Sequence, residues 1–284
     1  MSFTTPTTET RPVPWVGAAA LVVATASGML FFLLGGAPST YIALNGLALL
    51  LGLVLVVAFP AGRMNERAAI GAVVLGVAGI AATLVSGFDL EGIRRWLPLG
   101  SVRLHAGMLF LPAIAVLMPH LSGRMQLAAV IVLATVFAIQ PDFAAALALA
   151  AGFILSRPGG GEHLVTGIGA AVSMTAIAIT LVRPDPLAAA KFVERVLPDA
   201  FAANAMLALL IGLALLFACA APLFARSGNP RAARALTGVI GGFMLVSLVG
   251  AYPVPLGGYG ASPILGYALA LALLRMPVVP SKAG

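Results

Sequence analysis

Between Trp15 and Met276 the chain runs through one apolar stretch after another, each close to the length that crosses a bilayer. A spanning helix needs about 20 apolar residues, with about 17 as the practical minimum. On that rule helices are expected at 15–37, 40–60, 67–88, 104–120, 124–140, 142–156, 163–182, 200–224, 232–251 and 262–277. The expected fold is therefore all-α, a polytopic membrane protein of ten transmembrane helices occupying residues 15–277. A short polar tail, residues 1–14, precedes it and another, 278–284, follows. The N-terminal tail lacks the basic segment and short apolar core of a cleaved signal, so the first apolar stretch reads as a membrane helix. Only 9% of the residues are charged, against roughly a quarter in soluble domains, which excludes a water-soluble fold. Cys219 is the one cysteine and lies inside an apolar run, so no disulfide framework exists within the chain.

The weakest division is "IQPDF". Residues 124–156 could form one long helix, but Pro141 lacks an N–H and Gln140-Pro141-Asp142 is costly in hydrocarbon. The sequence is therefore read with a break there.

Charge sets the orientation. With ten helices and a cytoplasmic N-terminus, the inner segments hold ten cations, Arg63, Arg67, Arg124, Arg157, Arg231, Arg234 and Arg275 among them, against Glu9, Glu66 and Glu162. The outer segments hold Arg94, Arg95, Arg103, Arg183, Lys191 and Arg195, balanced by Asp89, Glu91, Asp142, Asp185, Glu194 and Asp199. The whole formal charge of +7 thus lies inside, as the positive-inside bias requires, with both termini cytoplasmic. The basic balance reflects topology and gives no support for nucleic-acid binding. His105, His120 and His163 are scattered, with no cysteine or carboxylate at metal-ligand spacing, and no cofactor is evident. "RPGGGEHL" lacks the Lys-Ser/Thr ending of a phosphate-binding loop and reads as an inner turn.

Arginines kept outside run against the topological bias. Arg94 and Arg95 could pair with Asp89 or Glu91, or could bind an anionic lipid headgroup at the membrane surface, a task for which Arg is well suited.

Three stretches, "GIRRWLPLGSVRL", "IQPDFAAALAL" and "PVPLGGYGASPIL", resemble in order and membrane position the motifs of the SEDS family, the FtsW/RodA/SpoVE proteins. The first resemblance is carried by Gly92, Arg95, Trp96, Leu99 and Gly100. The second rests on Gln140, Pro141, Asp142 and Ala146, and the third on Pro253, Pro255, Tyr259, Gly260 and Ser262. The resemblance implies a ten-helix protein of the bacterial cytoplasmic membrane that polymerises peptidoglycan glycan strands from lipid II, in cell growth, shape or division. It implies binding of an undecaprenyl diphosphate-linked sugar by Arg94, Arg95, Trp96, Gln140, Tyr259 and Ser262. A membrane lipid or a further envelope membrane protein are the other partners in view. Tyr259 is expected to point its hydroxyl into a wet cavity formed by a re-entrant turn.

The chain also departs from the family. The Q-P-S-E and Lys that follow the family's Arg-Trp motif are replaced by His105, Ala106, Gly107, Met108 and Leu111. The long outer loop that carries L-P-E-x-H-T-D-F shrinks to about 18 residues, and the family's catalytic Asp position falls on Ala203, which can take no proton. Asp142 and Asp199 are the remaining acid–base candidates, and each also suits a helix cap. Three functions stay open: a glycosyltransferase, a non-catalytic scaffold or partner subunit with the SEDS fold, and a transporter or lipid flippase. Against the last, the helix middles carry almost no ionisable residues. Typical lipid II polymerisation by the chain alone is not expected.

Overall fold

The computed structural model describes residues 14–60, 62–86, 88–157, 162–183, 185–225 and 229–279. Most of the two tails expected from the sequence lies outside these residues. Eleven α-helices are present among them: α1 Trp15–Leu34, α2 Ser39–Ala58, α3 Glu66–Ala82, α4 Ala106–Leu117, α5 Gly123–Ile139, α6 Phe143–Leu155, α7 His163–Val182, α8 Val196–Ala203, α9 Ala205–Ala220, α10 Pro230–Val249 and α11 Ala261–Leu274. Ten of these are the expected apolar segments, and α8 is additional.

Side-chain caps set many helix starts. Asn65, His105, Ser122, Asp142, Asn204 and Asn229 each accept a backbone N–H from the first turn they precede. Two expected boundaries need correction. The third helix stops at Ala82, not 88, where Thr83 and Ser86 hydroxyls bond back to the carbonyls of Ile80 and Thr83. The helix expected from 200 starts at Ala205, because Asn204 adopts an extended conformation and caps it with bonds from Met206 and Leu207. The preceding residues form α8 instead.

The helices pack through small residues, as association in lipid favours. Gly238 and Gly242 let α10 lie against α6, where a Cβ on Gly242 would stand 2.5 Å from the Cα of Ala148. Elsewhere α11 packs on α4 and α2, α5 on α7, and α1 on α9. Leucines such as Leu50, Leu75, Leu164 and Leu213 face outward, as a lipid-bathed surface requires.

Three of the ten apolar helices are short. At 1.5 Å per residue, the 12–14 residues of α4, α6 and α11 measure roughly 20 Å, well under a ~30 Å hydrocarbon core. Their outer ends lie beneath irregular chain, which is tolerated at membrane depth only where protein buries it. That covering layer consists of a two-stranded antiparallel hairpin, Trp96–Leu99 with Val102–His105, the 185–195 segment, and the 250–260 segment. On the opposite face Met64–Asn65 pairs in parallel with Val278–Val279, so the start of the expected C-terminal tail is tied to the bundle.

Candidate functional site

The starts of α4, α6 and α11 meet at His105. Its Nδ1 accepts the Met108 N–H at 3.2 Å, capping α4. Its backbone N–H donates to Ser262 Oγ, in the first turn of α11, at 2.8 Å. Its Nε2 faces Asp142 Oδ2 at 3.4 Å, while Asp142 Oδ1 caps α6 through the Ala145 N–H at 3.0 Å. His105, Asp142 and Ser262 are all buried. A negative carboxylate placed where helix N-termini converge is favoured by their dipoles.

Above this junction lies a second buried group. Arg95 is 1% exposed and sets Nη2 2.6 Å from Asp185 Oδ2, while its guanidinium covers the Trp96 ring at 4.7 Å. Arg95 Nε and Nη1 meet no acceptor among the described residues, so the pair is close but incompletely hydrogen-bonded. Asp185 Oδ1 accepts the Leu187 N–H at 3.0 Å and shapes the turn. Glu194 is 7% exposed, and its Oε2 accepts the Ala190 N–H at 2.7 Å. Burial raises the Glu194 pKa above the ordinary carboxylate value. The Ala190 bond and the Arg95 charge oppose that shift, and the Asp185 charge adds to it. Tyr252 faces the same group, its phenol pushed up to about 12 by burial first and by Asp185 and Asp142 next.

The irregular 250–260 segment closes the site. Val254 N–H donates to Val193 O and Tyr259 N–H to Phe192 O, and Glu194 bridges Pro253. Asn45, fully buried in α2, holds the turn from below: its amide donates to Gly258 O and its oxygen accepts the Gly260 N–H, both at 3.0 Å. Gly260 has φ +143°, a conformation that L side chains rarely adopt. Phe192 at φ 68° and Arg195 at φ 57° hold left-handed backbone without being glycine. Such strain costs about 1–3 kcal/mol per residue and concentrates at functional sites.

The sequence candidates therefore divide. Arg95, Gln140, Asp142 and Ser262 are buried, Gln140 donating to Ile80 O at 3.3 Å and to the Thr83 hydroxyl. Trp96 is half-buried, edge-on to Phe88 and His105. Arg94 is at the surface, 51% exposed, with Nε 2.8 Å from Asp89. That hydrogen bond, followed by the Gly92 N–H, holds the Asp89 carboxyl below its ordinary range. Tyr259 stacks on Tyr41 with centroids 3.7 Å apart. Asp199 lies in the first turn of α8, partly exposed, 3.7 Å from Arg195; the ninth helix is capped by Asn204 and not by Asp199. Ala203, at the end of α8, supplies no polar atom.

Sequence reasoning passed over His105, Asp185, Glu194 and Asn45 as members of one site. Asn45, an amide within an apolar helix, was the legible signal. "LVRPDPL" reads as a plain turn, and nothing local shows that its Asp185 meets Arg95. Among the described residues no three metal-ligating side chains come together.

Neither a family model nor a curated protein sequence matches the chain. Its structure is similar to crystal structures of the Thermus thermophilus rod shape determining protein RodA, wild type and an Asp-to-Ala mutant. Both align at 18% identity and a TM-score of 0.67 over 92% of this chain, covering 94% and 95% of theirs respectively. A chain from a peptidoglycan synthase complex studied for the coordination of polymerization and crosslinking aligns at 18% identity and a TM-score of 0.59, over 91% of this chain and 96% of that one. Composition, helix lengths and this likeness together make the chain a multi-pass membrane protein with the fold of RodA, the SEDS fold that its three motifs resemble.

Proposed function

We propose that this protein handles an undecaprenyl diphosphate-linked sugar, such as lipid II, at the outer face of the bacterial cytoplasmic membrane, in peptidoglycan assembly for cell growth, shape or division. The observation that carries this reading is the buried charged group beneath the outer segments, set on a fold shared with RodA along nearly the whole chain. Arg94 and Trp96 are the accessible members, suited to a lipid diphosphate and a sugar face. Tyr259 presents a stacked aromatic wall, while Arg95, Gln140 and Ser262 hold the frame from beneath.

Labelled lipid II offered to the purified protein should be retained in preference to phosphatidylglycerol, and Arg94→Ala should weaken that retention. Equal retention of the two lipids would sink the reading.

A second reading has its own observation. Ala203 stands where the family places its acidic group, which favours a non-catalytic subunit that holds the lipid-linked sugar for a partner. The similar chain from a synthase complex supplies the kind of partner, another membrane protein of envelope assembly.

A further inference from the structure

Away from the outer site, α3 and α5 leave a cleft between them that faces the bilayer. Gly76 and Gly79 draw α3 onto α4, where a Cβ on them would stand 2.9 Å from Ile114 and 2.8 Å from Phe110. The other helix, α5, packs on α7 instead. The cleft measures about 450 Å³ and is lined by apolar side chains alone, among them Ile70, Val74 and Ala78 of α3 and Met125, Ala128 and Val132 of α5. At their outer ends the two helices are tied: Gln140, which follows α5, donates to Ile80 O at 3.3 Å and to the Thr83 hydroxyl. From that tie the cleft runs inward to the starts of α3 and α5.

Two properties of the cleft define what fits it. With no polar lining it offers water nothing to bond, and left empty it would forfeit the dispersion contacts of both walls, so a hydrocarbon chain is the matching filler. The inner mouth, by contrast, is basic. Arg67 lies one helical turn before Ile70 and two before Val74, and so continues their stripe to the inner membrane surface. Arg124 stands in the first turn of α5, next to Met125. Both arginines are exposed, and neither has an ion-pair partner among the described residues. Arg63 adds a third exposed cation; of the two carboxylates nearby, Glu66 begins α3, and Glu162 is paired with Arg157 at 2.8 Å. Both helices also start at this mouth, and their N-terminal dipoles favour an anion.

We propose that this cleft binds an anionic phospholipid of the inner leaflet, with one acyl chain lying between α3 and α5 and the phosphodiester held by Arg67 and Arg124. A zwitterionic lipid would bring its own ammonium group among the arginines and loses the contest on charge. The site faces the cytoplasmic side, away from the outer segments, and is independent of the reading of the protein as a handler of a lipid-linked sugar.

The test reconstitutes the full chain in nanodiscs of phosphatidylglycerol and phosphatidylethanolamine with matched acyl chains, transfers it to mild detergent, and counts the retained lipids by native mass spectrometry. Wild type should retain phosphatidylglycerol in preference. Arg67→Ala and Arg124→Ala should each lower that retention by roughly fivefold, whereas Arg231→Ala, which removes an exposed inner cation at the start of α10, should leave it unchanged. Ala78→Leu with Ala128→Leu fills the cleft from two exposed positions that hydrocarbon already bathes, so the fold should survive and the preference should vanish with every arginine in place. Equal retention of the two lipids by wild type would overturn the site. An equal loss with Arg231→Ala would reduce it to the general basic surface, and undiminished retention by the leucine variant would remove the acyl chain from the cleft; either outcome overturns the proposal. Phosphatidylglycerol with a photoreactive acyl chain gives an independent readout: it should label residues 70–81 and 121–132, and labelling confined to other helices would also overturn it.

Discussion

The seam between α6 and α10 and the layer over the outer ends of α4, α6 and α11 are both buried, yet they are built on opposite principles. The seam is made of Ala148, Ala151, Gly152, Gly238 and Gly242, small residues whose backbones touch and which leave no polar side chain to satisfy. The outer layer buries Arg95, His105, Asp142 and Glu194 and covers most of the Asp185 side chain, leaves guanidinium N–H groups without acceptors, and carries left-handed backbone at Phe192 and Arg195. Packing in lipid gains from close backbone approach and has no need of charge. Charge buried at an outer face costs desolvation, so its presence there points to use and not to stability.

The sharpest way to break this contrast is to remove one member of the buried ion pair. Arg95→Ala leaves Asp185 buried without its cation and should destabilise the protein by ~3–5 kcal/mol, measured by thermal unfolding in detergent. Arg95→Met together with Asp185→Leu should recover much of that loss, because two apolar groups leave no charge stranded. If the single and double variants are equally unstable, the pair is not the reason.

The seam should respond to volume and not to charge. Gly242→Ala places a Cβ against the Ala148 backbone and should cost about 1–3 kcal/mol through overpacking, with no dependence on pH or salt. A neutral effect would mean that α6 and α10 can separate without loss.

Acidity separates the two regions further. The folded-state pKa of Glu194 is raised by burial, so its contribution to stability is complete below the ordinary carboxylate value near 4.5 and fades as pH rises through the raised value. Glu194→Gln should therefore match wild type near pH 4 and become the more stable protein as pH increases. Gly242→Ala should show no such divergence. A pH-independent difference for Glu194→Gln would contradict its buried ionisation.

The smallest effect is expected one residue from the largest. Arg94→Ala removes an exposed pair with Asp89 and should change stability by only ~0–1 kcal/mol, an effect that added salt reduces further. Adjacent arginines, one buried and one at the surface, would then differ several-fold in their thermodynamic weight.

Much was legible along the chain because transfer into hydrocarbon is a local property. The ten apolar segments, the break at Gln140–Asp142 and the capping role of Asp142 follow from residue type and spacing. The charge asymmetry sets an orientation in the same local way. The divisions at Ala82 and Asn204 were less visible, since a hydroxyl turning back on a carbonyl and an amide capping a helix depend on backbone angles that hydropathy does not report. What only the tertiary structure decided is which distant groups share a site. Arg95 with Asp185, Asn45 with Gly258 and Gly260, and Glu194 with Pro253 are separated by tens to hundreds of residues. These partners are chosen by the packing of whole helices, through the sum of many weak contacts, and no short stretch of sequence carries that sum.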